Sequence, residues 1–166
     1  MHFSVEQPIA DLKHDHLINA LVSGEPIPIQ RPHGLPSTAR TNAKWIWALT
    51  SLPRVDIVLS YANADGVMIE AAARAGARGV VSAATGAGRP TPAQDAAFDK
   101  AFNESGMLMC LCSRVASGRV VRSPGLKRKG FVASDNLPPW KARILLSLAL
   151  SKTTDADDIQ RMFDVY

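Results

Sequence analysis

From residue 54 onward, hydrophobic positions alternate between short apolar runs and helix-spaced patterns. The run "VDIVLSY" (55–61) is β-branched and nearly continuous in apolar residues, which predicts a strand buried on both faces. "ANADG" turns the chain, and "VMIEAAARAG" predicts a short Ala-rich helix closed by Gly76. "RGVVSA" (78–83) reads as a second buried strand, leading into the loop "ATGAGRPTP". In "TPAQDAAFDKAFNESG" the helical spacing of Ala97, Phe98, Ala101 and Phe102 predicts a helix that ends at Gly106. "MLMCLC" (107–112) predicts a third strand, and a short fourth comes at 131–133. "PPWKARILLSLAL" predicts a helix entered through prolines, with Trp140, Ile144, Leu145, Leu148 and Ala149 on its apolar face. A last helix, in "TTDADDIQRMFDVY", is expected to be capped by Thr154, with acids at 155, 157 and 158 suiting its positive end.

Strands and helices that alternate through short connections predict an α/β fold, here a four-stranded parallel sheet with helices on both faces. About 113 residues with four strands suffice for a real core. In such sheets ligands gather at the carboxyl ends of the strands. That edge would bring together "ANADG", "ATGAGRPTP" and the stretch after Cys112.

The first 53 residues read differently. They hold all four histidines, two of the three tryptophans and six of the eleven prolines. One helix is expected in "DLKHDHLINALVSGE", but Pro26, Pro28, Pro32 and Pro36 keep the next stretch from forming a regular helix or a central strand. Trp45 and Trp47 then fall in a short apolar stretch with no partner element in view. The expectation is an irregular linker or remnant over 1–53 and an α/β domain over 54–166.

Composition changes this picture little. A hydrophobic share of 46% with 20% charged residues is ordinary for a globular chain. No apolar run reaches the roughly 20 residues of a membrane span. The opening "MHFSVEQPIADLKHDH" lacks a basic segment leading into an apolar one, so a cytoplasmic chain is expected. Cys110 and Cys112, two residues apart in one strand, would point to the same face; buried apolar thiols are expected rather than a disulfide or a zinc site.

Charge is informative by its distribution. The net charge is +4, yet "SRVASGRVVRSPGLKRKG" (113–130) carries six Lys/Arg and no acid, leaving 13 basic and 15 acidic residues elsewhere. With no aromatic for base stacking and no recognition helix beside it, the stretch reads as a solvated loop rather than a nucleic-acid site.

The chemistry at the expected ligand edge is sparse. Gly86-Ala87-Gly88 leads into Arg89, Pro90 and Thr91, so "TGAGRPT" lacks the third glycine of a dinucleotide fingerprint and the G-K-[ST] of a P-loop. The two glycines read as a tight turn after a strand. Residues 54–166 contain no histidine, which removes Ser–His and Cys–His relays from this part. Asp65 and Asp135 read as turn or cap residues, and Tyr61 and Asn63 as hydrogen-bonding groups at the sheet edge. No catalytic set, metal site or cofactor site emerges.

The same segments carry a family resemblance. "LPRVDIVLSYANADG", "GARGVVSAATGAG", "CSRVASG", "GFVASDNLPPWKARILLSLALS" and "DDIQRMFDVY" together resemble the C-terminal domain of bacterial type II L-asparaginases, in order from Leu52 to Tyr166. The resemblance implies a Rossmann/flavodoxin-like domain in an amidohydrolase that releases ammonia from asparagine and, less readily, glutamine. It also implies a nucleophilic threonine in an N-terminal domain, within a T-G-G-T motif, supported by a Thr-Asp motif and a lysine. Neither T-G-G-T nor G-T-D occurs in these 166 residues. The C-terminal domain of this family completes a neighbouring subunit's site, through an Asn or Ser on the glycine loop and a Glu before "GFVAS". Those positions fall on Arg89 and near Ser123, a departure in charge at both.

The resemblance thus implies a catalytically incomplete C-terminal domain, with Asn63, Gly86, Gly88, Arg89 and Ser123 as substrate-binding or subunit-interface candidates. Its expected partners are an asparaginase N-terminal domain or a like subunit, including a homo-oligomer; no membrane and no cofactor are expected. Type II members are often periplasmic, whereas this chain shows no signal peptide. Alternatives are the supporting half of a split asparaginase/glutaminase, or a free-standing module whose Arg89, Arg114, Arg119 and Arg122 bind a small anion.

Overall fold

The computed structural model describes residues 51–115, 119–122 and 130–165. The helix expected near residues 11–25, Trp45 and Trp47, and Ser123 with most of the basic stretch lie outside the described residues. Strands β1 (Val55–Leu59), β2 (Gly79–Ala84), β3 (Leu108–Ser113) and β4 (Phe131–Ala133) form one parallel sheet in the order β1-β2-β3-β4. Helix α1 (Val67–Arg74) comes after β1 and α2 (Pro92–Ser105) after β2. After β4 come α3 (Pro139–Leu150) and α4 (Ala156–Val165).

Strand alternation builds two cores. Val80, Met109, Leu111 and Phe131 point to the face covered by Ile69 and Ala72 of α1 and by Phe98 and Ala101 of α2. Phe98 is fully buried and meets Phe131 edge-on at 4.6 Å between ring centroids. Val81, Cys110, Cys112 and Val132 point to the other face, against Leu145, Leu146 and Ala149 of α3 and Ile159 and Phe163 of α4. Both thiols are buried and free, as the sequence implies. Because the strand order never reverses, α1 and α2 share one face. The second face is covered only because α3 and α4 return across it after the last strand.

Three expectations change. The β1 run reads as buried on both faces, but β1 is an edge strand with Ile57 and Leu59 40% and 52% exposed. Trp140, assigned to the apolar face of α3, is 58% exposed in its first turn, while Leu145, Leu148 and Ala149 are buried. The cap of α4 is Asp155, not Thr154: its Oδ1 accepts from the N–H groups of Asp157 and Asp158 at 2.9 and 2.8 Å.

The two edges of the sheet are finished differently. At β4, Gln160 of α4 accepts from the Ala133 N–H at 2.7 Å and donates to the Ala133 carbonyl at 3.2 Å, so one side-chain amide occupies the place of a further strand. At β1, Arg143 donates to the Val55 carbonyl at 2.8 Å and Ser147 to the Pro53 carbonyl at 2.7 Å, tying α3 to the edge. Arg54 and Ser60 bond to the β2 side, so Ile57 turns its N–H and carbonyl outward.

Removal of the Gln160 amide leaves two buried backbone groups of β4 without partners. Gln160→Ala is expected to lower stability by about 2–3 kcal/mol in chemical denaturation. Gln160→Glu, which sets a carboxylate against the Ala133 carbonyl and the Asp164 carboxylate where the amide donated to both, should cost at least as much near neutral pH.

Candidate functional site

The carboxyl ends of the strands are joined by hydrogen bonds centred on the start of α2. Thr91 and Gln94 form a capping box: the Thr91 hydroxyl accepts from the Gln94 N–H at 3.2 Å, and the Gln94 carbonyl oxygen accepts from the Thr91 N–H at 3.3 Å. The same side chains also reach sideways. The Thr91 hydroxyl donates to the Ala64 carbonyl at 2.6 Å and the Gln94 amide donates to the Leu59 carbonyl at 3.1 Å. Gly66 sits so close to α2 that a Cβ there would lie 2.5 Å from the Ala97 Cβ. The loop after β1 and the loop after β2 are thereby fixed to one another.

Within that frame, Thr85–Gly88 is a tight turn, with the Gly88 N–H donating to the Thr85 carbonyl at 3.2 Å. Gly86 and Gly88 have φ of 56° and 72°, the left-handed region that glycine enters without a steric penalty. Gly88 is also pressed against β3: a Cβ would lie 2.9 Å from the Cys112 nitrogen. Arg89, the next residue, is exposed. The start of α2 is no anion cradle. Pro92 has no N–H, and Thr91 takes the N–H of Gln94 through its hydroxyl and that of Asp95 through its carbonyl. The sequence reading of a turn rather than a phosphate loop agrees with this geometry.

The neighbouring loops complete the edge. Asn63 is exposed at φ 68°, in a turn in which the Ala64 N–H donates to the Tyr61 carbonyl at 2.9 Å. Asp65 accepts from the Val67 N–H at 3.1 Å, a turn role as the sequence implies. The Arg114 N–H donates to the Ala84 carbonyl at 2.7 Å. Asp135, at φ 55°, has a partner the sequence did not reveal: Arg119 donates to its two oxygens at 2.5 and 2.9 Å. Val120 and Asp135 exchange backbone hydrogen bonds at 2.9 and 3.0 Å, and Arg122 pairs with Asp157 of α4. The described part of the basic stretch is therefore anchored, not simply solvated.

The structure thus places Asn63, Gly86, Gly88 and Arg89 along the carboxyl edge of β1 and β2, while Ser123 lies outside the described residues. Thr91 and Gln94 were not among the candidates. Their signal was the T-x-x-Q spacing before an apolar helix. Among the described residues, no three His, Cys, Asp or Glu side chains gather as metal ligands. A groove of about 350 Å³ between α1 and α2, lined by Val67, Glu70, Ala93 and Lys100 among others, lies on the helix flank. No helix among the described residues is long and apolar enough to cross a membrane.

Cys112 illustrates the chemistry of this edge. Its thiol donates to the Leu137 carbonyl at 2.9 Å. Burial raises its pKa from 9.0 to about 11, against smaller opposing contributions from the Ser134 hydroxyl and the Ser113 backbone. Burial also pushes the Cys110 thiol up, with Cys112 adding to the effect. Such thiols stay protonated at neutral pH and are poor nucleophiles.

Comparison with known proteins gives one family. Residues 54–163 match the family model of the glutaminase/asparaginase C-terminal domain. L-asparaginase 2 of Bacillus subtilis (strain 168) is 38% identical over 118 residues, covering 71% of this chain and 31% of that protein. The probable periplasmic L-asparaginase of Haemophilus influenzae is 40% identical over 118 residues, covering 70% and 34%. The crystal structure of a probable cytoplasmic L-asparaginase from Campylobacter jejuni superposes with a TM-score of 0.67 at 40% identity, over 71% of this chain and 39% of that one. The chain spans about a third of the length of the curated relatives it matches.

The edge geometry makes two outcomes measurable. Gly88→Ala, strained in φ and short of space against Cys112, should cost roughly 2–4 kcal/mol, whereas Gly86→Ala, strained in φ alone, should cost roughly 1–2 kcal/mol by denaturant titration. The second concerns pH. A thiol whose folded pKa is raised contributes stability that is complete below its unfolded pKa and is lost as pH rises through the folded value. Stability should therefore fall more steeply between pH 9 and about 11 in the unaltered protein than in Cys112→Ala, read from the denaturation midpoint.

Proposed function

The chain belongs to the glutaminase/asparaginase C-terminal domain family, and on that premise we propose that it is the supporting part of an amide-hydrolysing site, catalytically incomplete by itself. The observation that carries this reading is the edge built on Thr91 and Gln94. Its loops are held in register for presentation to a partner, yet the described residues contain no histidine and both thiols are buried with raised pKa values. Threonine- or serine-based attack on an amide needs an adjacent base and a preorganised oxyanion site. The described edge offers hydroxyls and backbone groups, and its carboxylates are engaged, Asp65 in a turn and Asp135 by Arg119.

In this reading Asn63, Gly86, Gly88 and Arg89 line the surface offered to a nucleophile-bearing N-terminal domain or a like subunit. The two glycines set the loop's path, and Arg89 and Asn63 supply the exposed side chains. Residues 1–53 are read as a segment separate from this domain. Similarity to the probable cytoplasmic L-asparaginase of Campylobacter jejuni supports a cytoplasmic setting for the chain. The loops fixed in register at the sheet edge support assembly with other subunits.

The test is ammonia release from asparagine and glutamine by the purified chain, alone and mixed with a separately produced asparaginase N-terminal domain carrying T-G-G-T. The chain alone should remain at background. Release by the mixture above that of either component supports the reading. Turnover by the chain alone that persists through stringent purification overturns it.

A further inference from the structure

The sheet edge at β1 is open in one narrow place. Residues 54, 56, 58 and 60 turn their backbone groups toward β2, and 55, 57 and 59 turn theirs outward. Of the outward carbonyls, that of Val55 accepts from Arg143 and that of Leu59 from Gln94. Among the described residues nothing bonds to the outward N–H and carbonyl of Ile57. An antiparallel strand set opposite such a residue exchanges two hydrogen bonds with it. Because donor and acceptor belong to one residue, Ile57 of a second copy is a complete match for Ile57 of the first.

The side chains around this point are apolar in three layers. In the sheet layer Ile57 and Leu59 are exposed, and so is Tyr61 just past the strand. On one face α3 runs opposite to β1, with Arg143 at the Val55 carbonyl and Ser147 at the Pro53 carbonyl. Trp140 continues that stripe toward the helix start. One helical turn rises about 5 Å, between one and two strand residues, so exposed Trp140 stands level with Ile57. On the other face Val67 and Glu70 of α1 line the groove toward α2. Met68, round the helix from Glu70, therefore overhangs β1, and it too is exposed.

A lone extended peptide would cover the sheet layer and leave Trp140 and Met68 in water. A second copy brings its own β1, α1 and α3 at matching heights, since a two-fold axis normal to the sheet keeps each helix layer on its own side. The five side chains expose on the order of 600 Å² in each copy, so a pair covers about 1,200 Å², the lower end for specific interfaces. Charge on the strand does not oppose the approach, because Arg54 and Asp56 are paired with each other at 2.9 Å.

We propose that two copies of the chain pair through β1, antiparallel across a two-fold axis at Ile57, so that their sheets join into one of eight strands. This surface is separate from the loops at the carboxyl edge, and the proposal stands whichever way the ammonia-release test falls.

The experiment is sedimentation velocity of the full chain over a concentration series, with hydrogen–deuterium exchange of the Ile57 amide on the same samples. A monomer–dimer equilibrium is expected, with exchange at Ile57 slowing as the dimer forms. Ile57→Lys places a charge at the centre of the edge, and Trp140→Ser removes apolar surface from the helix layer. Each should weaken dimerisation at least about tenfold, with the melting temperature showing that the variant is folded. Val121→Ser, also at an exposed position but beyond β3, should leave it within about twofold. A chain that stays monomeric at every concentration overturns the proposal, whether or not it takes up an added extended peptide. So does a dimer unaffected by both substitutions, or one in which the Ile57 amide exchanges as fast as in the monomer.

Discussion

A single pair of side chains carries the geometry of this domain's working edge. Thr91 and Gln94 do what any good helix start requires, satisfying N–H groups that would otherwise lack partners. Their remaining hydrogen-bonding capacity goes to carbonyls of the first strand and its loop, at Leu59 and Ala64. A local device for starting a helix thus becomes a tertiary clamp between two βα units. The cost of ordering two loops is shared with that of nucleating a helix, which the fold must meet in any case.

The close approach of Gly88 to Cys112 extends that clamp across the next strand. The turn after β4 is fixed from the opposite side by Arg119 and by the Val120 bridge to Asp135. Charge is sorted by these contacts. Acids late in the chain, Asp135 and Asp157, take up two of the cations in the basic stretch. Of the other basic residues in this stretch, Arg114 is described, and it is exposed where β3 ends. In a sheet whose strand order never reverses, no crevice opens between diverging crossovers. Loop contacts, not topology, therefore distinguish one part of the edge from another.

The fold was largely legible because its signals are local and strong. Buried strands such as β2 and β3 read as unbroken apolar runs, and prolines and glycines mark the helix ends. The misreadings are tertiary in origin. Periodicity does not say which strand lies at the edge, so the exposure of Ile57 and Leu59 was hidden in a sequence that looks central. It also does not say how far a helix extends past the sheet, which is why Trp140 reads as core and lies in solvent. Asp155 outranked Thr154 because the helix starts one residue later than the run of threonines suggests. At the site, the glycine turn was legible from its spacing. The pairing of Arg119 with Asp135 joins positions 16 residues apart and left no mark in local pattern.

The unequal finishing of the sheet gives it a direction of growth. On one side the Gln160 amide stands in for a neighbour and ends the ladder at β4. On the other, β1 presents Ile57 with its backbone groups turned outward, between carbonyls already engaged by Arg143 and Gln94. Among the described residues, the backbone groups turned outward at Ile57 are the place left for an extended peptide to join by strand addition, and it is a short one. For protein engineering the domain is therefore one-sided: a sequence grafted beside β1 can enter the sheet, while one grafted beside β4 meets a closed boundary.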